Sequence, residues 1–227
     1  EIPLRLVGSE MCIRDRCCFI RMVIGEPCTV PSGSMEPTLL CGDRLWINKL
    51  AYGGRFPSHW ADIPLLNVFT WIRPLRLADE ENHWEYRRLP GYSEPKQGDI
   101  AVFNSPADPQ LLLVKRITRV VKKGEPLRID RRTLLLYRSL ILRDGGKVME
   151  KDGKIYIDGK SSSQYIPKQR FYYMEGDNRM NSHDSRSFGF ISEEAIIGKF
   201  DFVLFSIDSQ KQWWKAIRLR RMMMRFP

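Results

Sequence analysis

The chain has 227 residues, of which 43% are hydrophobic and 11% aromatic. This length and composition provide enough apolar surface for one sizeable core, which excludes an intrinsically disordered protein. The formal net charge of +10 is compatible with nucleic acid, an anionic membrane surface or an acidic partner, and charge alone does not choose among them.

The cysteines and histidines predict neither a metal centre nor a disulfide framework. The five cysteines lie between Cys12 and Cys41 without paired C-x-x-C spacing, and the histidines His59, His83 and His183 are scattered. An odd number of cysteines with no ligand spacing is not typical of zinc sites or of stapled secreted domains. We therefore expect no metal and no cofactor.

Two segments at the start of the chain differ from the rest of the sequence. Residues 1–16 have no helical or strand period, so we interpret them as an anomalous or foreign segment, with a short polar tail as the alternative. Residues 17–25, CCFIRMVIG, are apolar but interrupted by Arg21, and the sequence has no run of 18 apolar residues. This stretch fits either a buried strand or the C-terminal remnant of a membrane anchor whose start is absent.

Residues 26–210 contain many short apolar runs separated by turn residues. GDIAVFNSP at 98–106 and LLLVKRITRVV at 111–121 predict strands, and the Asp-Gly turns that come after them predict hairpins. Convincing amphipathic helices are few. We therefore predict a mainly β fold, a barrel or sandwich of short strands, with a long connection over 55–95 and an inserted β-hairpin lobe over about 122–170.

The first candidate for chemistry is Ser34, in the stretch VPSGSMEPTL at 30–39. Serine, proline and glycine together favour a turn, so Ser34 could simply begin one. As a nucleophile it would need a proton acceptor, because a serine hydroxyl is weakly nucleophilic near neutral pH. His59 and His83 have nothing nearby to orient them as that base. His183 is beside Asp184, but adjacent side chains do not normally face each other, and a triad could still be assembled from distant parts of the chain.

Lys115 is the stronger candidate for the base. In a strand over 111–121 its side chain shares one face with Leu111, Leu113 and Ile117, where it would be largely removed from water. Desolvation favours the neutral amine and lowers the lysine pKa, and a neutral amine can accept the proton of a serine. The alternative is that Lys115 extends to the sheet edge and keeps its charge, and strand periodicity does not decide between the two.

A third polar stretch, EGDNRMNSHDSRSFGFI at 175–191, lies between apolar segments. It could be an exposed loop, but polar groups beside YYM and FGFI would be partly buried and would have to satisfy one another. Asp184 and Arg186 could form a charge-assisted pair, and a serine in this stretch could orient the lysine amine.

Together these stretches resemble the type I signal peptidases, membrane-bound serine proteases that remove signal peptides from exported proteins. The matching segments are PSGSMEPTL with GDRLWINKLAYG, then GDIAVF, VKRI and GDNRMNSHDSRSFGF, in that family's order and spread over residues 19–206. The resemblance implies a β-rich peptidase with a Ser–Lys dyad that works through an acyl-enzyme. It also implies a location at the bacterial cytoplasmic membrane, with the catalytic domain on the extracytoplasmic side.

The resemblance implies a role for each matched residue. Ser34 would be the nucleophile, Lys115 the general base, Ser32 with the Ser34 N–H the oxyanion hole, and Ser182 the residue that orients the lysine. The supporting residues would be Asp177, Arg179, Asp184 and Arg186. The pockets for small substrate residues would be lined by Val30, Met35, Leu39, Leu113 and Val114.

The sequence departs from the family pattern at three places. Met180 stands where the motif usually has Asp, TRVVKKGEP replaces the usual Pro-Gly-Asp turn after VKRI, and the expected anchor is reduced to FIRMVIG. Residues 211–227 form a basic tail with Trp213 and Trp214, which fits either a solvated terminus or a segment at the membrane surface. The implied partners are the signal peptides of exported preproteins and the membrane surface, with no nucleic acid.

Two other functions fit part of the sequence. Self-cleaving repressors use similar Ser–Lys chemistry, but they would carry a helix-turn-helix domain and an internal Ala-Gly site, and the sequence has no Ala-Gly pair. A basic nucleic-acid-binding module would explain the net charge, but it would leave Lys115 and the 175–191 segment unexplained.

Overall fold

The computed structural model describes residues 24–55, 88–108, 111–151, 154–208, 211 and 216–226. Within these ranges the strands are β1 Gly25–Thr29, β2 Asp43–Asn48, β3 Ile100–Asn104, β4 Leu112–Val121, β5 Leu127–Arg128, β6 Val148–Lys151, β7 Lys154–Ile157, β8 Lys160–Ser161, β9 Gln164–Tyr165, β10 Phe171–Glu175, β11 Ile191–Ser192 and β12 Ile196–Ser206. The α-helices are α1 Lys49–Tyr52, α2 Thr133–Arg143 and α3 Ser185–Phe188. Short 3₁₀ turns cover Gly33–Met35, Arg179–Asn181, Glu193–Ala195 and Leu219–Arg221.

A seven-stranded antiparallel sheet organises the molecule, in the order β1-β2-β12-β3-β4-β10-β11. In β2, Leu45 and Ile47 are buried whereas Arg44 is exposed, which is the period-2 pattern of a strand with one face on the core. The mainly β fold predicted from the sequence is confirmed.

Strand β4 lies between two buried clusters of the sheet. Val114 packs with Val30, Met35 and Leu39 in one cluster, whereas Ile117 packs in the other. Strand β4 packs on both faces, pairs with β3 over residues 112–116 and pairs with β10 from Arg116 onward, so its side chains have fixed positions. This rigidity matters for Lys115, which follows Val114 in the strand.

The predicted lobe over 122–170 contains small sheets and one helix that the sequence analysis missed. β5 pairs with β9, and β6, β7 and β8 form a three-stranded sheet. Helix α2 buries Leu134, Tyr137, Leu140 and Ile141 at helical spacing. Its start is fixed because Asp130 Oδ1 accepts from the backbone N–H groups of the first turn.

Residues 216–226 pack against the sheet, while Ile217, Leu219 and Met223 stay exposed. Met223 N donates to Val203 O at 2.7 Å, and Val203 N donates to Met224 O at 2.9 Å. The ring of Phe226 stacks on Phe200, with centroids 6.2 Å apart. This part of the predicted tail therefore belongs to the folded body.

Several predictions concern residues outside the described ranges. These are the segment 1–16, most of 17–25, most of the connection 55–95, and both Trp213 and Trp214. Gly25 is described, and it begins β1. None of the described helices is long and apolar enough to cross a membrane.

Candidate active site

Ser34 lies in the 3₁₀ turn between β1 and β2, and the segment after β10 holds that turn in place. Asn178 N donates to Ser34 O at 3.1 Å, and Asn178 Nδ2 donates to Gly33 O at 3.1 Å. On its other side the turn is fixed by Met35, which is buried in the core. The backbone around Ser34 is therefore held from two directions.

Lys115 meets Ser34 from β4. It lies opposite Ala101 of β3, and only 2% of the residue is exposed. Its Nζ donates a hydrogen bond to Ser34 Oγ at 2.6 Å. Burial lowers the pKa of Lys115, and Arg186 adds to this effect although Asp184 and Asp177 oppose it. Of the two alternatives that the sequence left open for Lys115, the structure shows the buried side chain and not the one that extends to the sheet edge.

Asp184 and Arg186 form the charged pair behind the lysine. Arg186 Nε donates to Asp184 Oδ1 at 2.9 Å, and Arg186 Nη2 donates to Asp184 Oδ2 at 2.7 Å. This bidentate contact fixes the orientation of the guanidinium and of the carboxylate. Asp184 is fully buried and also caps α3, because its side chain accepts from Arg186 N. Burial alone would raise the pKa of Asp184, but the hydrogen bonds from Arg186 and from Gly176 N outweigh burial and lower it.

A second charged contact joins three segments of the site. Asp177 accepts from Arg116 Nε at 2.9 Å, from Arg116 Nη2 at 3.0 Å and from Thr38 Oγ1 at 2.6 Å. Burial opposes ionisation of Asp177, yet these hydrogen bonds lower its pKa. The strand of Lys115 and the loop after Ser34 are thereby tied to one carboxylate.

The two other serines implied by the resemblance lie beside the dyad. Ser32 Oγ donates to Ser34 Oγ at 3.4 Å. Ser182 Oγ is buried without a hydrogen bond of normal geometry, and it helps to lower the pKa of Asp184. Among the described residues the amine of Lys115 bonds to Ser34 and not to Ser182. An orienting role for Ser182 therefore stays a prediction.

Gly176 allows these segments to approach one another. A Cβ added at this position would collide with Ser182 Oγ and with the carbonyl oxygen of Ser34. A glycine is therefore required where β10 passes the Ser34 turn.

Four of the five predicted pocket residues lie together. Val30, Met35, Leu39 and Val114 share one buried cluster. Leu113 lies on the opposite face of β4, partly buried against the other cluster, because successive side chains of a strand point to opposite faces. The structure therefore does not bring Leu113 into contact with this group.

Arg179 and His183 contribute differently from the main charged groups. The Arg179 side chain is exposed and pairs with Glu175 at 3.5 Å, while its backbone oxygen accepts from Arg186 Nη2 at 2.9 Å. The His183 ring contacts Phe188 edge-on, with centroids 5.5 Å apart. The hydrogen-bond partner of Ser34 is thus a lysine and not this histidine.

Three residues of the site were missed by sequence reasoning: Arg116, Thr38 and Asn178. The only signal for Arg116 is its position directly after Lys115, and its partner Asp177 lies 61 residues away. Within the described part of the chain, no group of three or more His, Cys, Asp or Glu side chains could hold a metal ion.

Comparison with known proteins gives sequence matches to one family. A sequence model of the family described as signal peptidase, peptidase S26, matches residues 9–205. A protein of Buchnera aphidicola named signal peptidase I is 28% identical, over 89% of this chain and 75% of that protein. Proteins of the same name from Aquifex aeolicus and Pseudomonas aeruginosa are 25% and 29% identical, over 83% and 79% of this chain and 78% and 64% of their own lengths.

These similarities favour neither the repressor nor the nucleic-acid-binding alternative. Because the family match spans far more than half of the sequence, the chain belongs to the signal peptidase family, peptidase S26.

Proposed function

We propose that this chain is a serine endopeptidase that removes N-terminal signal peptides from exported preproteins, with Ser34 as nucleophile and Lys115 as general base. Family membership supports the reaction. The observation that carries the assignment of residues is the 2.6 Å contact between Lys115 Nζ and Ser34 Oγ. Burial of the Lys115 amine favours its neutral form, and a neutral amine can accept the serine proton.

The proposed reaction has two stages. Ser34 Oγ attacks the scissile carbonyl carbon while its proton passes to Lys115 Nζ, and the resulting ammonium then protonates the departing amine of the mature protein. The signal peptide is left as an ester on Ser34. The neutral Lys115 next takes a proton from water, whose oxygen attacks the ester, and returns that proton to Ser34 as the peptide leaves.

Ser32 Oγ and the Ser34 N–H would stabilise the negative oxygen that forms in both stages. This role is supported by the position of Ser32, whose hydroxyl lies 3.4 Å from Ser34 Oγ. Asp177 and Asp184 would act indirectly, because each fixes an arginine beside the dyad. Contacts within the chain hold Ser32, Asp177 and Asp184 in these positions without substrate.

An extended substrate would pair with the free side of β4. Strand β10 pairs with β4 only from Arg116 onward. Residues 112–115 therefore pair with β3 on one side, and no described strand pairs with them on the other side. The backbone of Val30 is already used, since its N–H donates to Asp43 O and its carbonyl accepts from Gly42 N. The peptide would therefore be held by β4, with small side chains over Val30, Met35, Leu39 and Val114.

We also propose that the chain works at the bacterial cytoplasmic membrane, on its extracytoplasmic side, and that its catalytic body spans residues 26–210 with the lobe as an insertion. The formal net charge of +10 supports contact with an anionic membrane.

The test is cleavage of a detergent-solubilised precursor whose signal ends in Ala-X-Ala. We expect Ser34→Ala and Lys115→Ala each to lower kcat by at least ~1000-fold, and Lys115→Arg to be equally inactive because guanidinium is not a base at this pH. Wild-type kcat/KM should rise with pH as the amine of Lys115, whose pKa is lowered by burial, becomes neutral.

Lys160→Ala is the matched control, because Lys160 is exposed in β8 of the lobe. It should cleave like the wild type. Cleavage that persists in either alanine variant of the dyad, with an unchanged pH profile, would show that other residues carry the reaction.

A further inference from the structure

A groove of about 510 Å³ lies between helix α2 of the lobe and the segment that follows Asp184. Its described lining residues are Arg132, Leu135, Leu136, Arg138, Ser139, Leu142, Tyr173, Ser185, Arg186, Ser187, Phe188 and Gly189. Three of these are arginines and none is acidic. The groove therefore presents positive charge without a compensating carboxylate in its own wall.

Two of the three arginines are available to a ligand. Arg186 is occupied by Asp184. Arg132, directly before α2, and Arg138, within it, are exposed, and neither has an ion-pair partner within the part of the chain that the structure describes. Two uncompensated guanidinium groups on one wall favour an anion, above all a phosphate, which they can bind with several N–H donors.

The same wall exposes large apolar side chains. Leu135 is 81% exposed and Leu142 is 52% exposed, although the opposite face of α2 already supplies the core of the lobe. The outward face of α2 therefore combines exposed leucines with arginine and carries no acidic residue. Such a mixed surface suits the boundary between lipid headgroups and acyl chains, where arginine contacts phosphate and leucine contacts hydrocarbon. A free phosphate would use the arginines and leave these leucines in water.

We propose that this groove docks an anionic phospholipid of the bilayer. Arg132 and Arg138 bind the phosphate, and the upper part of an acyl chain lies against Leu135 and Leu142. The groove volume falls within the range of about 300–1,000 Å³ that holds small ligands. Helix α2 would then lie along the membrane surface, which places the lobe in contact with lipid. This proposal does not depend on the chemistry of Ser34 and Lys115.

The experiment measures binding of the full chain to phosphatidylcholine vesicles with and without about 30% phosphatidylglycerol, by co-sedimentation at low and at physiological salt. The test variant is Arg132→Gln/Arg138→Gln. We expect its partition onto phosphatidylglycerol vesicles to fall roughly 30-fold, the combined contribution of two arginines near an anionic surface. Leu135→Gln should weaken binding further at high salt, where apolar contact matters more than charge.

The matched control is Lys154→Gln/Lys160→Gln, which removes two exposed positive charges from β7 and β8 of the same lobe. It should lower binding by no more than about 3-fold. Because all variants change exposed residues, urea unfolding should show unchanged stability, and cleavage of a soluble peptide should be unchanged.

Three results would overturn the proposal. The first is equal loss of binding in the two double variants, which would assign binding to net charge alone. The second is wild-type partition of the Arg132→Gln/Arg138→Gln variant. The third is no binding to vesicles together with direct binding of hexaglutamate that the Arg132→Gln/Arg138→Gln variant loses, which would assign the groove to an acidic protein partner. None of these readouts requires cleavage, so a failed Ser34–Lys115 assignment would leave the result interpretable.

Discussion

Burial of the Lys115 amine costs free energy whenever that amine is protonated, because an ammonium loses its hydration in the interior. The contact with Ser34 offsets only part of that cost, since a hydroxyl is a neutral partner. The chain therefore keeps at this position a residue that suits proton transfer better than stability, a conflict known from many enzyme sites.

Replacing Lys115 by methionine should stabilise the protein and abolish cleavage. At pH 7 we expect the free energy of unfolding to rise by about 0.5–2 kcal/mol. The pKa of Lys115 is lower in the folded protein than in the unfolded chain. Between these two pKa values, the upper of which is the ordinary lysine value of about 10.4, the unfolded chain binds more protons than the folded protein. The free energy of unfolding of the wild type therefore rises with pH over that range. Urea unfolding at pH 7 and pH 10 should show the advantage of the methionine variant shrinking at the higher pH. A variant less stable than the wild type at pH 7 would contradict this account.

Ionised Asp184 stabilises the fold, whereas protonated Lys115 destabilises it. Its pKa is lower in the folded protein than in the unfolded chain, so its contribution is fully present above the ordinary Asp pKa of about 3.9 and is lost as the pH falls. We expect Asp184→Asn to lower the free energy of unfolding at pH 7 by about 2–4 kcal/mol, because Arg186 loses its buried partner.

The difference between wild type and Asp184→Asn should shrink progressively below pH 4 in urea unfolding. Asp201→Asn is the control, since the Asp201 side chain forms a surface ion pair with Arg225 at 3.4 Å, and it should change stability by no more than about 0.5 kcal/mol. A constant difference from pH 7 to pH 3 would exclude ionisation of Asp184 as the cause.

At the scale of elements, the 3₁₀ turn Leu219–Arg221 is hydrogen-bonded to the segment between Ser34 and β2. Arg221 Nη2 donates to the fully buried Asp43 Oδ2 at 2.6 Å and to Thr38 O at 2.8 Å. Thr38 Oγ1 in turn donates to Asp177. The loop between Ser34 and β2 is therefore held on one side by Asp177 and on the other by Arg221.

Arg221→Gln should impair both stability and cleavage. We expect a loss of about 2–3 kcal/mol in the free energy of unfolding, because Asp43 loses its closest cation. We also expect kcat to fall at least ~10-fold with little change in KM, since the loop that positions Ser34 is released. Arg220→Gln, which removes the adjacent but exposed arginine, should behave like the wild type in both assays. Equal effects of the two substitutions would argue against a positioning role.

The strands were more predictable than the other elements because their signals are local. Asp-Gly turns and the alternation around Lys115 depend on neighbouring residues, and they predicted β4 and the β6–β7 and β7–β8 hairpins correctly. The Asp-Gly pair at 144–145 was misread, because it ends helix α2. Helix α2 was missed because its leucine-rich sequence fits a buried strand as well, and the helix is stabilised by packing within the lobe. The contact between Asp177 and Arg116 depends on the register of β4 and β10, which no local pattern specifies.

At the scale of the whole molecule, the sheet order places distant segments beside one another. Strand β4 lies next to both β3 and β10, and the Ser34 turn is fixed by residues that follow β10. Predictions of which residues meet therefore required the resemblance to a known family, whereas the type of chemistry could be argued from Lys115 and its neighbours. The roles implied for Leu113 and Arg179 stay predictions: Leu113 packs against a different cluster from Val114, and the Arg179 side chain pairs with Glu175.

The separation of the dyad along the chain has a consequence for biosynthesis. Ser34 and Lys115 lie 81 residues apart, and the Asp184–Arg186 pair comes later still. A ribosome adds roughly 5–20 residues per second, so Asp184 is made roughly 8–30 s after Ser34. During that interval the nascent chain carries the serine without the full set of its base and the carboxylates that support it. The catalytic site therefore cannot be complete until translation has passed the last of these residues.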